Sequence, residues 1–316
     1  MRAYVLPVRG NDGVKMTAAI MGTLGALAPW RERNGRFSPL RLCVFLLLLA
    51  PGVWLAASLA AGTLGAKPVT EAIHQSGSWA IRFLVLSLLV TPLRRMTGWG
   101  RIIALRRMIG LAAAGYAAIH FALYALDQGF DLVVIAREIV LRIYLAIGFV
   151  ALAGLAVLSA TSTDGAIRRM GPAWHRLHRI VYPLTLLACL HFFMQSKADV
   201  SEATLMAGAF TVLMLCRGAT RAGLPLASPL VIAGIAVVSG LATAGIEYLW
   251  YALATGVPAD RVLAANLDFS YSIRPAWWIF GGTMAFALLA AVSRLVDRFR
   301  PPPRMQVRRE PQSARS

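Results

Sequence analysis

The chain is poor in charged residues, and poorest in acidic ones. Only 15% of its 316 residues are Asp, Glu, Lys or Arg, and its 14 acidic residues are outnumbered by 32 basic ones. Soluble domains carry about 25% charged residues. Together with a 58% hydrophobic fraction and a mean hydropathy of +0.64, this excludes an ordinary soluble globular protein. The composition predicts a polytopic membrane protein embedded in a lipid bilayer.

The sequence also lacks the motifs of soluble redox domains. Its three cysteines, Cys43, Cys189 and Cys216, lie in apolar stretches and form no C-x-x-C pair, so a disulfide framework, a zinc site and an iron–sulfur cluster are not indicated. There is no G-x-G-x-x-G after a strand and no Walker A sequence, and no soluble segment could hold NAD(P)H or a flavin in a domain of its own. Any redox chemistry must therefore take place within the membrane helices.

What the chain does contain is a series of long apolar runs. About 20 residues of helix cross the hydrocarbon core of a bilayer. The runs predict an all-α integral membrane protein, a helical bundle of about eight spans, at 40–62, 79–93, 107–126, 142–160, 179–195, 203–217, 228–251 and 275–296.

The net charge of +18 is concentrated in alternate connections between these spans, which argues against nucleic-acid binding. Basic residues collect before the first span, between the second and third, fourth and fifth, and sixth and seventh, and after the eighth. The other connections, 62–78, 127–141, 196–202 and 252–274, carry most of the acidic residues. The positive-inside rule then predicts that both termini lie in the cytoplasm and that these four loops face the periplasm or exterior.

The charge and hydropathy pattern also divides the chain. Residues 1–38 are expected to form a cytoplasmic extension, the alternative being upstream sequence included by an early start codon. The proline-rich, basic residues 299–316 are expected to form a disordered tail. Between them lie a core at 39–222 and two further helices at 223–298.

Histidines inside the apolar spans are the main functional signal. His120 lies thirteen residues above the cytoplasmic end of the third span, and His191 lies thirteen residues above His178 in the fifth. At 1.5 Å per residue, His120 and His191 share a level about 20 Å from the cytoplasmic side. If the two spans are neighbours, the pair can provide two axial ligands to one haem. Hydrogen bonding to a neighbouring helix is the alternative.

His178 lies deeper and has no histidine opposite it. Its counterpart on the third span is Arg106 or Arg107, and a guanidinium cannot bind iron because it has no free lone pair. His178 therefore either binds a second haem with unusual ligation or has another role. Pro183 can kink the helix between His178 and His191.

The remaining histidines and arginines have simpler interpretations. His175 is expected to be interfacial, and His74 is either a ligand or a loop residue. Arg94, Arg95, Arg106 and Arg107 indicate topology; the alternative is that they hold haem propionates or a flavin phosphate at the cytoplasmic face.

Four segments resemble one family. They begin at Trp79 (WAIRFLVLSLLVTPLRR), Leu105 (LRRMIGLAAAGYAAIHFALY), Leu158 (LSATSTDGAIRRMG) and Trp174 (WHRLHRIVYPLTLLACLHFF). In this order they are similar to the MsrQ (YedZ) family, part of the wider ferric-reductase-like transmembrane group. The resemblance covers about 40–217, six helices.

The resemblance implies a function. It implies b-type haem, one or two per chain, bound by His120, His178 and His191, an association with FMN, and membrane quinol as electron donor. The acceptor would be MsrP, a periplasmic molybdenum-cofactor subunit that reduces methionine sulfoxide in oxidised periplasmic proteins. It also implies a multi-pass protein of the bacterial inner membrane that transfers electrons, while catalysis belongs to the partner.

Two other classes stay open at this point. A transmembrane ferric or oxygen reductase is disfavoured because such enzymes carry a cytoplasmic flavin and nicotinamide domain. A cofactor-free transporter is compatible with membrane histidines alone. The last two helices have no functional interpretation, and aromatic residues near 252–274 are most simply an interfacial belt.

Overall fold

The computed structural model describes residues 29–32, 35–196, 199–270 and 272–299, with side chains as far as residue 295. Within these residues the chain is helical, and the only β-type pairing is a single bridge between Arg31 and Phe37. Eight helical segments of the described chain are long and apolar enough to cross a membrane. The predicted all-α class and the predicted number of spans are thereby confirmed. Most of the predicted N-terminal extension and nearly all of the tail lie outside the described residues.

The described chain contains twelve α-helices. They are α1 (Pro39–Ala60), α2 (Pro68–Thr97), α3 (Arg106–Asp127), α4 (Leu132–Leu141), α5 (Ile143–Ala160), α6 (Asp164–Met170), α7 (Pro172–His178), α8 (Val181–Gln195), α9 (Ser201–Arg221), α10 (Pro229–Ala254), α11 (Ala259–Ala264) and α12 (Pro275–Phe299). Short 3₁₀ segments precede α3 at Gly100–Leu105 and follow α11 at Ala265–Leu267.

Helix α2 begins at Pro68, three turns before the residue 79 that the sequence predicts. The predicted start is wrong because the first residues of α2 are polar, and their low hydropathy predicts a loop. Its polar groups are satisfied within the helix, since Gln75 donates to the carboxylate of Glu71 and Ser76 donates to the carbonyl of Ala72. The predicted loop 62–78 is therefore largely the first part of α2, and this extension carries residues of the candidate site.

The fifth span is divided at Arg179–Ile180, between α7 and α8. Pro183 explains the position of this break. Proline has no N–H to donate to the carbonyl four residues earlier, which here is that of Arg179. Tyr182 instead donates to Arg179 in a tighter turn, at 3.2 Å. The kink predicted from Pro183 is present as an interruption just before it.

The helices pack as two antiparallel pairs joined to a C-terminal pair. Helix α2 packs along α3, and α5 packs along α8. Helix α9 contacts α2 and α8 on one side and α10 and α12 on the other, so it connects the core to the last two spanning helices. The buried core includes Leu84 and Leu88 of α2, Ala113 of α3, Leu184 of α8 and Leu213 of α9.

Candidate functional site

The structure brings His120 and His191 together. The two imidazole rings, on α3 and α8, have centroids 6.2 Å apart and planes inclined at 81°. Both side chains are half-buried within the bundle. The matched depth estimated from the sequence thus corresponds to side chains that face each other.

Each imidazole is oriented by a backbone carbonyl of the neighbouring helix. Nδ1 of His120 lies 2.8 Å from the carbonyl oxygen of Ile73 on α2, and Nδ1 of His191 lies 2.8 Å from that of Tyr144 on α5. A carbonyl oxygen only accepts, so Nδ1 carries the proton in both rings. Nε2 of each ring therefore keeps its lone pair, the form in which histidine binds a metal.

The hydrogen bond from a histidine to a backbone carbonyl of the neighbouring helix occurs twice with the same spacing. Each histidine bonds the carbonyl 47 residues before it in the chain. Tyr144 follows Ile73 by the same number of residues as His191 follows His120, so the second hydrogen bond repeats the first farther along the chain. The α2–α3 pair and the α5–α8 pair thus present one imidazole each to a shared space.

This pair fits a b-type haem held from both faces. A histidine nitrogen lies about 2 Å from a bound transition metal, so two imidazoles on opposite sides of one ion have ring centres roughly 6 Å apart, close to the observed 6.2 Å. Two imidazoles would hold the iron of a haem, whose porphyrin would supply the remaining ligands. Beside α3, an open apolar groove of about 310 Å³ is lined by residues of α3, α4 and α5, among them Phe121 and Phe149, whose rings lie 6.0 Å apart; neither histidine lines this groove.

His178, the last residue of α7, belongs to a separate cluster. Its Nε2 lies 3.1 Å from the hydroxyl of Thr161, and its ring stacks on Trp174 with centroids 3.9 Å apart. The indole N–H of Trp174 donates to the carbonyl of Thr161 at 2.9 Å. Both ring neighbours of His178 are therefore side chains of the family-like segments that begin at Leu158 and Trp174.

Arg107 is held by the same TSTD segment. Its Nε donates to the carbonyl of Ser162 at 2.5 Å, and its Nη1 bonds Asp164 at 2.8 Å. Arg107 precedes His178 by the same number of residues by which His120 precedes His191. The first half of the chain thus has an arginine, bound to the TSTD segment, where the second half has a histidine.

Arg106 lies in a group of arginines beside this cluster. It is within electrostatic range of His178 and of Arg217. The guanidinium of Arg217 lies over the ring of Tyr182, 4.2 Å from its centroid. This cation–π contact joins the last turns of α9 to the first turn of α8.

The other sequence candidates are accounted for by position. His74 and His175 are exposed; His74 lies within electrostatic range of His120, and His175 packs edge-on against Trp174. Cys189 and Cys216 are buried and Cys43 is exposed, all as free thiols. Arg94 and Arg95 lie in the last turn of α2.

Sequence reasoning missed the carbonyls of Ile73 and Tyr144, because any residue type can supply a backbone acceptor. It also missed the role of Thr161. The sequence does contain a pattern that could have indicated these carbonyls. Each carbonyl residue is followed by a glycine four residues later and by its histidine 47 residues later.

Fold and site together define a class, an integral membrane helical bundle with paired histidines between two antiparallel helix pairs. Residues 76–189 match a family model described as "Ferric reductase like transmembrane component". The match includes His120 and His178 and ends two residues before His191. No solved structure shows significant similarity to the chain.

Curated relatives identify the family more closely. A Rhodospirillum rubrum protein is 40% identical over 197 residues, which cover 62% of this chain and 92% of the relative. A Xanthomonas euvesicatoria protein is 46% identical over 152 residues (48% and 70%), and one from Xanthomonas oryzae is 42% identical over 170 (54% and 78%). Each bears the name "Protein-methionine-sulfoxide reductase heme-binding subunit MsrQ". The chain belongs to the MsrQ family.

Proposed function

We propose that the chain is a haem b subunit that carries electrons through the membrane to a periplasmic methionine sulfoxide reductase. The observation that supports this most strongly is the His120–His191 pair, with both Nε2 lone pairs free and ring centres 6.2 Å apart. Haem supplies one-electron redox chemistry when bound. The chain's residues would hold it through the two imidazoles and tune it through the two carbonyl bonds.

The expected direction of electron transfer follows from orientation. With both termini in the cytoplasm and the chain in a bacterial inner membrane, His120 and His191 lie nearer the periplasmic ends of α3 and α8. The acceptor is then a periplasmic molybdenum-cofactor subunit like MsrP, and the donor is membrane quinol. Repair of methionine sulfoxide outside the cytoplasm consumes reducing equivalents, which a membrane subunit would carry to the periplasmic side.

The cytoplasmic cluster is assigned to electron input. His178 stacks on Trp174 and bonds Thr161, far from any periplasmic acceptor. Together with Arg106 and Arg107 it forms the polar end at which a second haem, FMN or the quinol headgroup would be held. The divisions proposed from sequence stay the same: a six-helix haem-binding core at 39–222 and two additional helices at 223–298.

Absorption spectroscopy of the purified protein, with haem and flavin quantitation, tests the proposal. The wild type should show a low-spin b-type spectrum that is lost for the most part in His120→Ala and in His191→Ala, while both variants still insert into the membrane. His175→Ala, an exposed neighbour of the cytoplasmic cluster, is the control and should keep the spectrum. Normal haem content in both single variants would overturn the site, and absence of haem in the wild type would favour a transporter.

Activity then separates the electron carrier from a reductase acting by itself. Reduced protein should be reoxidised by methionine sulfoxide only when the periplasmic molybdenum subunit is added. Reoxidation by ferric chelates at an equal rate without that subunit would instead favour a ferric reductase.

A further inference from the structure

Two glycines lie directly beside the paired imidazoles. A Cβ added to Gly77 of α2 would lie 2.9 Å from Nδ1 of His120, and one added to Gly148 of α5 would lie 2.7 Å from both Nδ1 and Cε1 of His191. Real carbon contacts lie at about 3.5–4.0 Å. Any residue other than glycine at these positions would therefore displace the ring.

The spacing of these glycines explains why the carbonyls are open to a histidine. Gly77 lies four residues after Ile73, and Gly148 lies four residues after Tyr144. In an α-helix the Cα–Cβ bond tilts toward the N-terminus, so a side chain covers the turn before its own Cα. The side chain four residues after a carbonyl is the one beside it.

Two side chains, one on α2 and one on α8, demonstrate this geometry. Ser76 donates its hydroxyl to the carbonyl of Ala72 and Thr185 donates to that of Val181, each reaching the carbonyl four residues back. A side chain at that position thus occupies the space next to the carbonyl oxygen. A glycine leaves both the space and the second lone pair available to a donor from another helix.

The arrangement occurs a third time away from the histidines. The hydroxyl of Tyr116 on α3 donates to the carbonyl of Leu48 on α1 at 2.9 Å. Gly52 lies four residues after Leu48, and its added Cβ would lie 2.9 Å from the same hydroxyl. The recurrence provides a matched control in which the donor is a tyrosine.

We propose that Gly77 and Gly148 are positioning residues for the haem ligands: each opens one helix carbonyl to a histidine and thereby fixes the tautomer and angle of the imidazole. The proposal rests on the proposed haem-binding function. An alanine would move the ring by most of an ångström, and a bond stretched that far from 2.8 Å exceeds the about 3.2 Å limit of an N–H···O hydrogen bond. The ligand then loses the partner that raises its basicity.

The test compares Gly77→Ala and Gly148→Ala with two control variants. Gly52→Ala makes the same change beside Tyr116. Gly154→Ala makes a change on α5, one turn and a half beyond Gly148, where the added Cβ would lie 2.4 Å from Leu184 and would disturb the α5–α8 packing without touching a histidine. Haem content, low-spin electron paramagnetic resonance (EPR) and midpoint potential are measured on purified full-length protein.

Gly77→Ala and Gly148→Ala should change the low-spin EPR signal and raise the midpoint potential, because a less basic imidazole stabilises ferric iron less. The expected change is at least tenfold in the ferric-to-ferrous ratio at fixed potential, or about 59 mV for one electron. Loss of haem in these two variants, with retention in both controls, supports the proposal equally. Gly148→Ala should have the larger effect, since its Cβ meets two ring atoms at the shorter distance.

Potentials and EPR signals in Gly77→Ala and Gly148→Ala that match those of Gly154→Ala would overturn the positioning role. That result leaves the haem assignment intact as long as His120→Ala and His191→Ala lose the haem. Retention of haem in both histidine variants would instead refute the proposed site itself, so the two failures are distinguishable.

Discussion

Glu247 on α10 and Arg274, just before α12, form a buried ion pair. We predict that substituting one partner destabilises the protein more than substituting the other. The carboxylate oxygen Oε1 of Glu247 lies 2.5 Å from the guanidinium, and the two side chains are 1% and 19% exposed. Removing one partner of a buried pair costs about 3–5 kcal/mol, because the other charge is left uncompensated. Replacing both with apolar residues of similar size costs far less.

The exposed fractions of the two side chains predict which single substitution destabilises the protein more. Arg274→Met leaves the Glu247 carboxylate with almost no access to water, so we expect the full penalty of about 3–5 kcal/mol. Glu247→Leu leaves Arg274 partly exposed and within electrostatic range of Asp199, so we expect a smaller loss of about 1–3 kcal/mol. The double variant should be more stable than either single variant.

Unfolding of detergent-solubilised protein, followed by tryptophan fluorescence and circular dichroism, gives the free energies of unfolding of the wild type, the two single variants and the double variant. These four values form a double-mutant cycle. The haem spectrum below the transition serves as the control, and it should be the same in all four proteins because the pair lies outside the histidine site. Additive losses in the double variant, or equal losses in the two single variants, would refute the reasoning from burial.

Three further predictions follow from the cytoplasmic cluster, the orientation and the start of α9. His178→Ala should slow reduction of the haem by quinol more than reoxidation of chemically reduced haem by the partner, and rapid-mixing kinetics with only the second step impaired would contradict this. Reporter fusions after Gln195 should report periplasm and fusions after Met170 cytoplasm; a cytoplasmic signal at Gln195 would place the two ligand histidines at different depths. The backbone N–H of Ser201 lies 3.0 Å from the Asp199 carboxylate, and this bond holds the pKa of Asp199 below its ordinary 3.8. Its stabilisation is therefore present above pH 3.8 and is lost as pH falls through the lower folded pKa, so Asp199→Ala should lower the free energy of unfolding at pH 7 by no more than about 1 kcal/mol, the net value of one hydrogen bond, and by nothing once both proteins are acidified below that pKa.

The sequence predicts the membrane architecture well because hydrocarbon imposes a simple rule on composition. Apolar runs of spanning length occur where the eight spanning helices occur, and the paired depth of His120 and His191 follows from a rise per residue that helices share. Pro183 likewise marks the break in the fifth span, since a missing N–H has the same consequence in any helix.

What the sequence does not reveal depends on backbone atoms and on polar residues satisfied inside a helix. The first turns of α2 look like a loop because Glu71, Gln75 and Ser76 lower the local hydropathy, although they bond one another or the helix itself. The carbonyls of Ile73 and Tyr144 carry no side-chain signature, and only the position of the nearby glycines hints at their role.

The central claim is that His120 and His191 together provide the two axial ligands of one haem. Electron–nuclear double resonance on protein containing ¹⁵N-labelled histidine tests this most directly, because it detects the nitrogens bonded to ferric iron. The account predicts couplings from two histidine nitrogens in the wild type and a loss of this two-nitrogen signature in either His120→Ala or His191→Ala. A wild-type signal from one histidine nitrogen or none, or a two-nitrogen signature that survives both substitutions, would contradict it.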